Sequence, residues 1–257
     1  MIPKVIHYCW LSEDEIPANL QKCINTWQQH LSEYQFIKWD FTRFDKGSSI
    51  WVSEAFDNKK YAFACDYIRL FALYNYGGIY MDMDIEVLKD FDNLLNTQYM
   101  MAKERPDQNW IEAGCMGAEK NSPFIRKCLE YYENKHFVNK DGVFEDTPLP
   151  RIMSMVYDSN SFDFNLYDWH TFTNKSYETG EISTVPNSVA IHHFAGSWKN
   201  TEELNVENRA LFMRRNIPLI GTFFAFIYIK GYKSYLALKN GGIKEFIVRV
   251  ERYIKKS

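Results

Sequence analysis

The segment Tyr80-Met81-Asp82-Met83-Asp84-Ile85-Glu86 sets three acids at a spacing of two. In an extended chain, residues two apart face the same side. Tyr80, Asp82, Asp84 and Glu86 then share one face, and Ile79, Met81, Met83, Ile85 and Val87 the other. Carboxylates that close repel one another unless a cation lies among them. A hard divalent ion, Mn²⁺ or Mg²⁺, suits carboxylate oxygens and can carry a phosphate as a further ligand. The same pattern also describes the solvated face of an edge strand. A second cluster lies just upstream. The run from Ala62 to Tyr76, AFACDYIRLFALYNY, holds two charged residues, Asp66 and Arg69. At i, i+3 they share a helix face. Apolar residues surround that helix, which predicts burial, and buried charges must be paired or bound to a ligand. Either they form a structural ion pair, or Asp66 accepts from ribose or sugar hydroxyls while Arg69 meets a phosphate or sugar oxygen.

Several elements must position these residues. Lys4 to Tyr8 predicts a first strand, rich in β-branched and aromatic residues. Pro17 opens a helix to about Leu31, with Leu20, Ile24, Trp27 and Leu31 at helical spacing. Tyr34 to Trp39 predicts a strand, Trp51 to Phe56 a short helix and Ala62 to Tyr76 a longer one, stopped by Gly77-Gly78. Ile79 to Val87 predicts a single strand, with shorter ones at Met100–Ala102 and Cys115–Gly117. Asn121-Ser122-Pro123 caps a helix to about Tyr132, and Pro148 to Tyr157 predicts another. Phe162 to Ser188 reads as irregular, with short strands. From Thr201 onward the pattern is helical, broken at Pro218, Gly231 and Gly241-Gly242. Alternating strands and helices give an α/β class, with a mostly parallel sheet as the default.

The 257 residues are 46% hydrophobic and 25% charged, which argues for a soluble globular protein and against disorder, collagen or a disulfide miniprotein. That length fits one large domain with at most a small appendage. Five cysteines show no metal-ligand spacing and no C-x-x-C pair, so they are expected to be reduced, in a cytosolic chain. Met1-Ile2-Pro3-Lys4 does not open a secretory signal. The apolar stretch Leu219 to Ile229 is too short to span a bilayer. Charge is uneven. Residues 209–257 hold eleven Lys/Arg against two acids, a net +9, which leaves −12 on the first 208 residues. This tail interleaves basic with bulky apolar residues, as in Phe223-Phe224-Ala225-Phe226-Ile227-Tyr228-Ile229-Lys230. It suits an interfacial helix on an anionic membrane surface, or a helical pair packed on the body with solvated lysines. An acidic body without a recognised module disfavours nucleic acid.

The opening IPKVIHYCW, the helix FACDYIRLFALYNYGG and the strand IYMDMDIEVLK resemble glycosyltransferases that carry a DXD sugar-binding region. These are the family-thirty-two type, which includes yeast-like α-mannosyltransferases and capsule or lipopolysaccharide enzymes, and they are distantly similar to the clostridial glucosylating toxins. The resemblance covers roughly residues 2 to 90 and returns at His192-His193-Phe194-Ala195-Gly196-Ser197-Trp198. It implies a GT-A fold, a nucleotide-binding mixed sheet flanked by helices, over residues 1–200. Residues 201–257 would form a basic helical extension. Asp82 and Asp84 match the DXD and would hold Mn²⁺ or Mg²⁺ against the donor diphosphate. Asp66 and Arg69 would bind the donor sugar and ribose. Tyr80 matches the aromatic before the DXD. Trp10 matches the tryptophan that stacks on uracil in the toxins, which favours a UDP-sugar over GDP-mannose. His193 matches a late metal ligand, although alternation after Val189-Ala190-Ile191 allows only one of His192 and His193 to face a metal. Ser197 and Trp198 would close over the diphosphate. Asn109 and Glu112 are candidates for orienting donor or acceptor hydroxyls.

The implied reaction is a retaining, metal-dependent transfer from a nucleotide-sugar donor to a glycan or polyprenyl-linked oligosaccharide in surface polysaccharide synthesis, on the inner face of the cell membrane. Two other classes compete. A nucleotidyltransferase or phosphohydrolase would use the same carboxylates, but usually with more basic residues nearby than Arg69 alone. A non-catalytic sugar-binding module would not need this whole set of residues.

Overall fold

The structure is a computed structural model. It describes residues 1–257 apart from 108, 161, 178, 197–200, 218–219 and 255–257; the side chains of 201, 203–204, 237–238 and 240–254 also lie outside the description. The described chain divides into two compact units. One comprises 1–176 with 182–195, the other 177–181 with 196–257.

The first unit is an α/β fold around a five-stranded mixed sheet. Strand β1 (Val5–Cys9) leads through helix α1 (Ala18–His30) to β2 (Gln35–Trp39), which pairs parallel to it. Helices α2 (Ile50–Asp57) and α3 (Tyr61–Tyr76) return the chain to β3 (Gly78–Met81), parallel to β1 on its other side. The chain continues through β4 (Ile85–Val87), β5 (Tyr99–Met100) and β6 (Cys115–Ala118). Strand β6 runs antiparallel to both β3 and β5, so the sheet order is β2-β1-β3-β6-β5. The parallel default thus holds for three strands, and β6 and β5 make the sheet mixed. Helices α4 (Pro123–Glu130) and α5 (Leu149–Asp158) follow. A last strand, β7 (Ala190–His192), pairs antiparallel with β4 in a separate ribbon.

Each face of the sheet carries its own core. Tyr80 and Met116 pack with Ile68, Leu73, Phe124 and Ile152 of the helices α3, α4 and α5. Their strand neighbours Ile79, Met81 and Cys115 pack on the opposite side with Leu20, Trp27 and Leu31 around α1. This period-two partition is the sheet pleat expressed as burial. Polar sequence signals set the ends. Ser122 accepts from Ile125 N at 3.2 Å to cap α4, with Pro123 in its first turn. Gly77 (φ +66°) and Gly78 (φ +110°) end α3 and turn straight into β3. A side chain at Gly78 would meet Val5 O at 2.6 Å, so no other residue fits there without a shift.

Two expectations change. Ile79 to Val87 is not one strand, because Ile85 N donates to Asp82 O at 3.0 Å and closes a turn between β3 and β4. The five apolar residues of that segment still share one core. In the second unit, α6 (Thr201–Asn216) is followed by α7 (Gly221–Ile254), which passes through Gly231 and Gly241-Gly242 without a break. A glycine in a helix interior costs about 1 kcal/mol relative to alanine, and a long helix absorbs that. No disulfide joins the five cysteines.

Candidate active site

The turn from Asp82 to Ile85 carries the two acids of the DXD. On a straight strand their Cα atoms would sit about 7 Å apart. The turn instead points each carboxylate at a different clamp. Asp82 is anchored by its backbone N–H to Gly114 O at 2.7 Å, and its side chain accepts from Tyr80 Oη at 2.8 Å. Arg69 reaches it from α3, with guanidinium nitrogens 3.3 Å from Oδ2 and 3.2 Å from Oδ1. Burial and the neighbouring Asp84 push the Asp82 carboxyl up, while Arg69 opposes them. Asp84 Oδ2 accepts from Ala195 N at 2.7 Å. That contact depends on Phe194, whose φ of +50° is a conformation bulky residues seldom adopt, and whose ring stacks on His192 with centroids 4.0 Å apart.

The helix pair is where the sequence placed it. Asp66 and Arg69 are 8% and 6% exposed, and their charges meet at 3.3 Å. Arg69 also donates to Ala113 O at 2.8 Å and lies over the Tyr80 ring, 4.5 Å from its centroid. Burial would lower its pKa, but Asp82, Tyr80 and Asp66 hold it charged. One guanidinium thus serves two acids. Asp66 is left under-compensated: burial, with Asp82 nearby, raises its carboxyl to about 6 against the pull of Arg69.

The histidine beside the DXD is His192, which corrects the expectation of His193. The β4–β7 register sets His192 opposite Ile85, next to Asp84. Its Nε2 lies 3.5 Å from Asp84 Oδ1. His193 points to the other side of the ribbon, where Nε2 meets Glu86 Oε2 at 2.7 Å. Alternation holds, with His192 rather than His193 on the side of Asp84. One ligand atom from each of Asp82, Asp84 and His192 falls within 4.8 Å of the others. Two carboxylate oxygens and an imidazole nitrogen are a donor set that fits Mn²⁺, and with less ease Mg²⁺.

Glu112 is the residue whose setting sequence reasoning did not foresee. It was a candidate for orienting hydroxyls, yet it is 1% exposed. Oε1 accepts from Gly114 N at 2.6 Å and Oε2 from Thr173 Oγ1 at 2.8 Å, and both face His192 Nδ1 at 3.1 and 3.2 Å. Burial disfavours a charge on His192, but Glu112 and Asp84 outweigh it and push its pKa up to about 10. Burial likewise works against Glu112, and His192, Thr173 and Gly114 hold it below the usual carboxylate range. A side chain at Gly114 would strike His192 Cε1 at 2.7 Å and Asp82 Oδ2 at 3.0 Å, so glycine is required where these groups converge. Thr173 and Gly114 carried no local signal, because their partners lie far along the chain.

Trp10, Asn109, Ser197 and Trp198 are the remaining expectations. Trp10, at the end of β1, is half-buried, and its described hydrogen bonds run to Trp39 O and Asp14 O. Asn109 is exposed. Ser197 and Trp198 lie outside the described residues.

Comparison with known proteins bears on this arrangement. The family described as glycosyltransferase sugar-binding region containing DXD motif matches residues 17–101, the stretch from α1 through β5 that carries Asp66, Arg69, Asp82 and Asp84. Mannosyl phosphorylinositol ceramide synthase SUR1 of Saccharomyces cerevisiae is 31% identical over 168 residues, covering 61% of this chain and 42% of the relative. Inositol phosphoceramide mannosyltransferase 3 of Schizosaccharomyces pombe is 28% identical over 156 residues, covering 58% and 43%. The chain spans less than half the length of these curated relatives. Among solved structures, the PaToxG glycosyltransferase aligns with a TM-score of 0.46 at 19% identity, over 62% of this chain and 69% of that one. Residues 17–101 thus match a glycosyltransferase sugar-binding region containing the DXD motif, and a glycosyltransferase is the enzyme class that these matches indicate.

Proposed function

We propose that this chain transfers a hexose from a nucleoside-diphosphate sugar to a hydroxyl of a glycan or lipid-linked acceptor, with a divalent cation. The observation that carries this reading is the convergence of Asp82, Asp84 and His192 beside the Asp66–Arg69 pair. When bound, the cation would neutralise charge developing on the departing nucleoside diphosphate. The chain's own residues do the rest. Asp82, Asp84 and His192 hold the ion, and their fixed hydrogen bonds mean little must reorganise as charge develops. Arg69 favours the charged form of Asp82 against the upward push of burial and holds it in place. Asp66, only partly offset by Arg69 and beside the site, is suited to accept from a donor hydroxyl, which would add a further partner for its buried charge.

Two donors follow from the sequence, a UDP-sugar and GDP-mannose. The mannosyl relatives favour GDP-mannose, whereas UDP rests on Trp10 alone. The inositol phosphoceramide in the names of these relatives extends the acceptor class from surface polysaccharide intermediates to phosphoinositol-lipid head groups. The second unit supports a lipid-bound acceptor. Phe212, Phe223, Phe224, Phe226 and Ile227 are exposed on α6 and α7, near the exposed Lys230 and Lys233. We infer peripheral contact with an anionic membrane surface. Among the described residues, no helix is long and apolar enough to cross a bilayer.

The test is product analysis of the wild-type chain with Mn²⁺ and either GDP-mannose or UDP-glucose, with and without a glycolipid acceptor. Release of nucleoside diphosphate with free or transferred sugar supports the reading, and NMR of the product's anomeric configuration checks the expected retention. Release of a sugar phosphate would mean a phosphohydrolase instead.

A further inference from the structure

The short segment Glu112-Ala113-Gly114 touches three charged residues of the site, Asp82, Arg69 and His192. Gly114 O receives the Asp82 N–H at 2.7 Å, Ala113 O receives Arg69 at 2.8 Å, and Glu112 faces the His192 ring. Glu112 cannot serve as a nucleophile or hydroxyl acceptor in this arrangement. Its two oxygens already face three donors, Gly114 N, Thr173 Oγ1 and His192 Nδ1, and it is almost fully buried. What it can do is set another group.

An imidazole that binds a metal through Nε2 must keep its proton on Nδ1, and the acceptor facing Nδ1 decides this. We infer that Glu112 is a positioning residue: gripped by Gly114 N and Thr173 Oγ1, it takes the Nδ1–H of His192 and so turns the Nε2 lone pair toward a cation shared with Asp82 and Asp84. The grip is double. Thr173 also accepts the backbone N–H of His192 at 3.0 Å, so one residue fixes both the ring's partner and the strand that bears the ring. Gly114 does the same for the opposite ligand, donating to Glu112 while holding the backbone of Asp82. The spacing between the histidine and the DXD is thus set by residues that never touch the ion. This inference rests on the metal-dependent reading above.

The test is calorimetric titration of Mn²⁺ alone into the full chain, with no turnover involved, and with thermal melts to confirm folding. Glu112→Gln keeps the shape but can present an amide N–H to Nδ1, which moves the imidazole proton to Nε2. It is expected to weaken Mn²⁺ binding by roughly tenfold or more, the usual cost of losing an outer partner of a metal-bound histidine. The same change made in His192→Ala should cost little more, because Glu112 then has no ring to orient. Thr173→Val, which removes one grip without touching the carboxylate, should give a smaller loss in the same direction and serves if Glu112→Gln does not fold. Wild-type affinity in Glu112→Gln, or an equal loss with and without His192, overturns the inference. In that case Asp84→Asn still abolishes binding and the metal site stands. If wild type binds no Mn²⁺, the metal-dependent reading falls with it.

Discussion

Asp66 illustrates how a site residue differs from a structural one. Its folded pKa of about 6 lies above its ordinary value of 3.8. Between those values the folded chain binds more protons than the unfolded one, so ionising Asp66 removes stability as pH rises through that window. The full effect is on the order of 3 kcal/mol. Asp66→Asn should lose this slope: its unfolding free energy relative to wild type should rise between pH 4 and pH 7, read from denaturant midpoints. Parallel curves would show that Asp66 is fully compensated by Arg69. The variant should nonetheless lose transfer by about tenfold or more, as expected for a charged hydrogen bond to the donor. At this scale the sequence was legible where partners are local. Asp66 and Arg69, three residues apart, sit as the helix spacing requires. The choice between His192 and His193 was not legible, because it depends on the pairing of β7 with β4, some hundred residues upstream. Glu112 was visible as a candidate, but its burial against Thr173 and His192 is a tertiary fact.

The elements show where local pattern was sufficient. Helices α1, α3, α4 and α5 lie within a residue or two of the spans expected from apolar spacing and caps. The DXD strand was misread because a period-two pattern survives a tight turn. Ile79, Met81, Met83, Ile85 and Val87 still reach one core, although the backbone bends between Asp82 and Ile85. The bend lets Asp82 face Arg69 while Asp84 faces His192 and Ala195. Helix α7 departs from expectation for the opposite reason, since glycines that read as stops in the sequence lie within one continuous helix. Gly231 lies in its interior, and a side chain there would meet nothing within 4 Å. Gly231→Ala should therefore stabilise the helix by about 0.5–1 kcal/mol, measured as a higher denaturant midpoint of the helical circular dichroism signal. A lower midpoint would mean that α7 needs the glycine for a close approach or a bend.

At the level of the molecule, the first unit holds the candidate metal-binding acids Asp82 and Asp84, and the second is rich in Lys, Arg and exposed aromatics. The mixed sheet was legible only through family resemblance, since nothing local in Cys115–Ala118 announces an antiparallel strand. The exposed basic and aromatic residues predict that the chain sediments with vesicles containing phosphatidylglycerol, weakly with pure phosphatidylcholine, and less as salt rises. Replacing Phe223 and Ile227 by Ser and Lys230 and Lys233 by Glu should abolish this, and equal binding by that variant would contradict membrane contact through α7. On the proposed reading, Asp82, Asp84 and His192 hold a cation that binds a nucleoside diphosphate. The decisive measurement is calorimetric binding of GDP and UDP, each with and without Mn²⁺, to wild type and to Asp84→Asn. The expected result is nucleotide binding, with GDP ahead of UDP, that requires Mn²⁺ and is lost in the variant. Binding that needs no metal and survives in Asp84→Asn, or no binding of either nucleotide by the folded wild type, would contradict it.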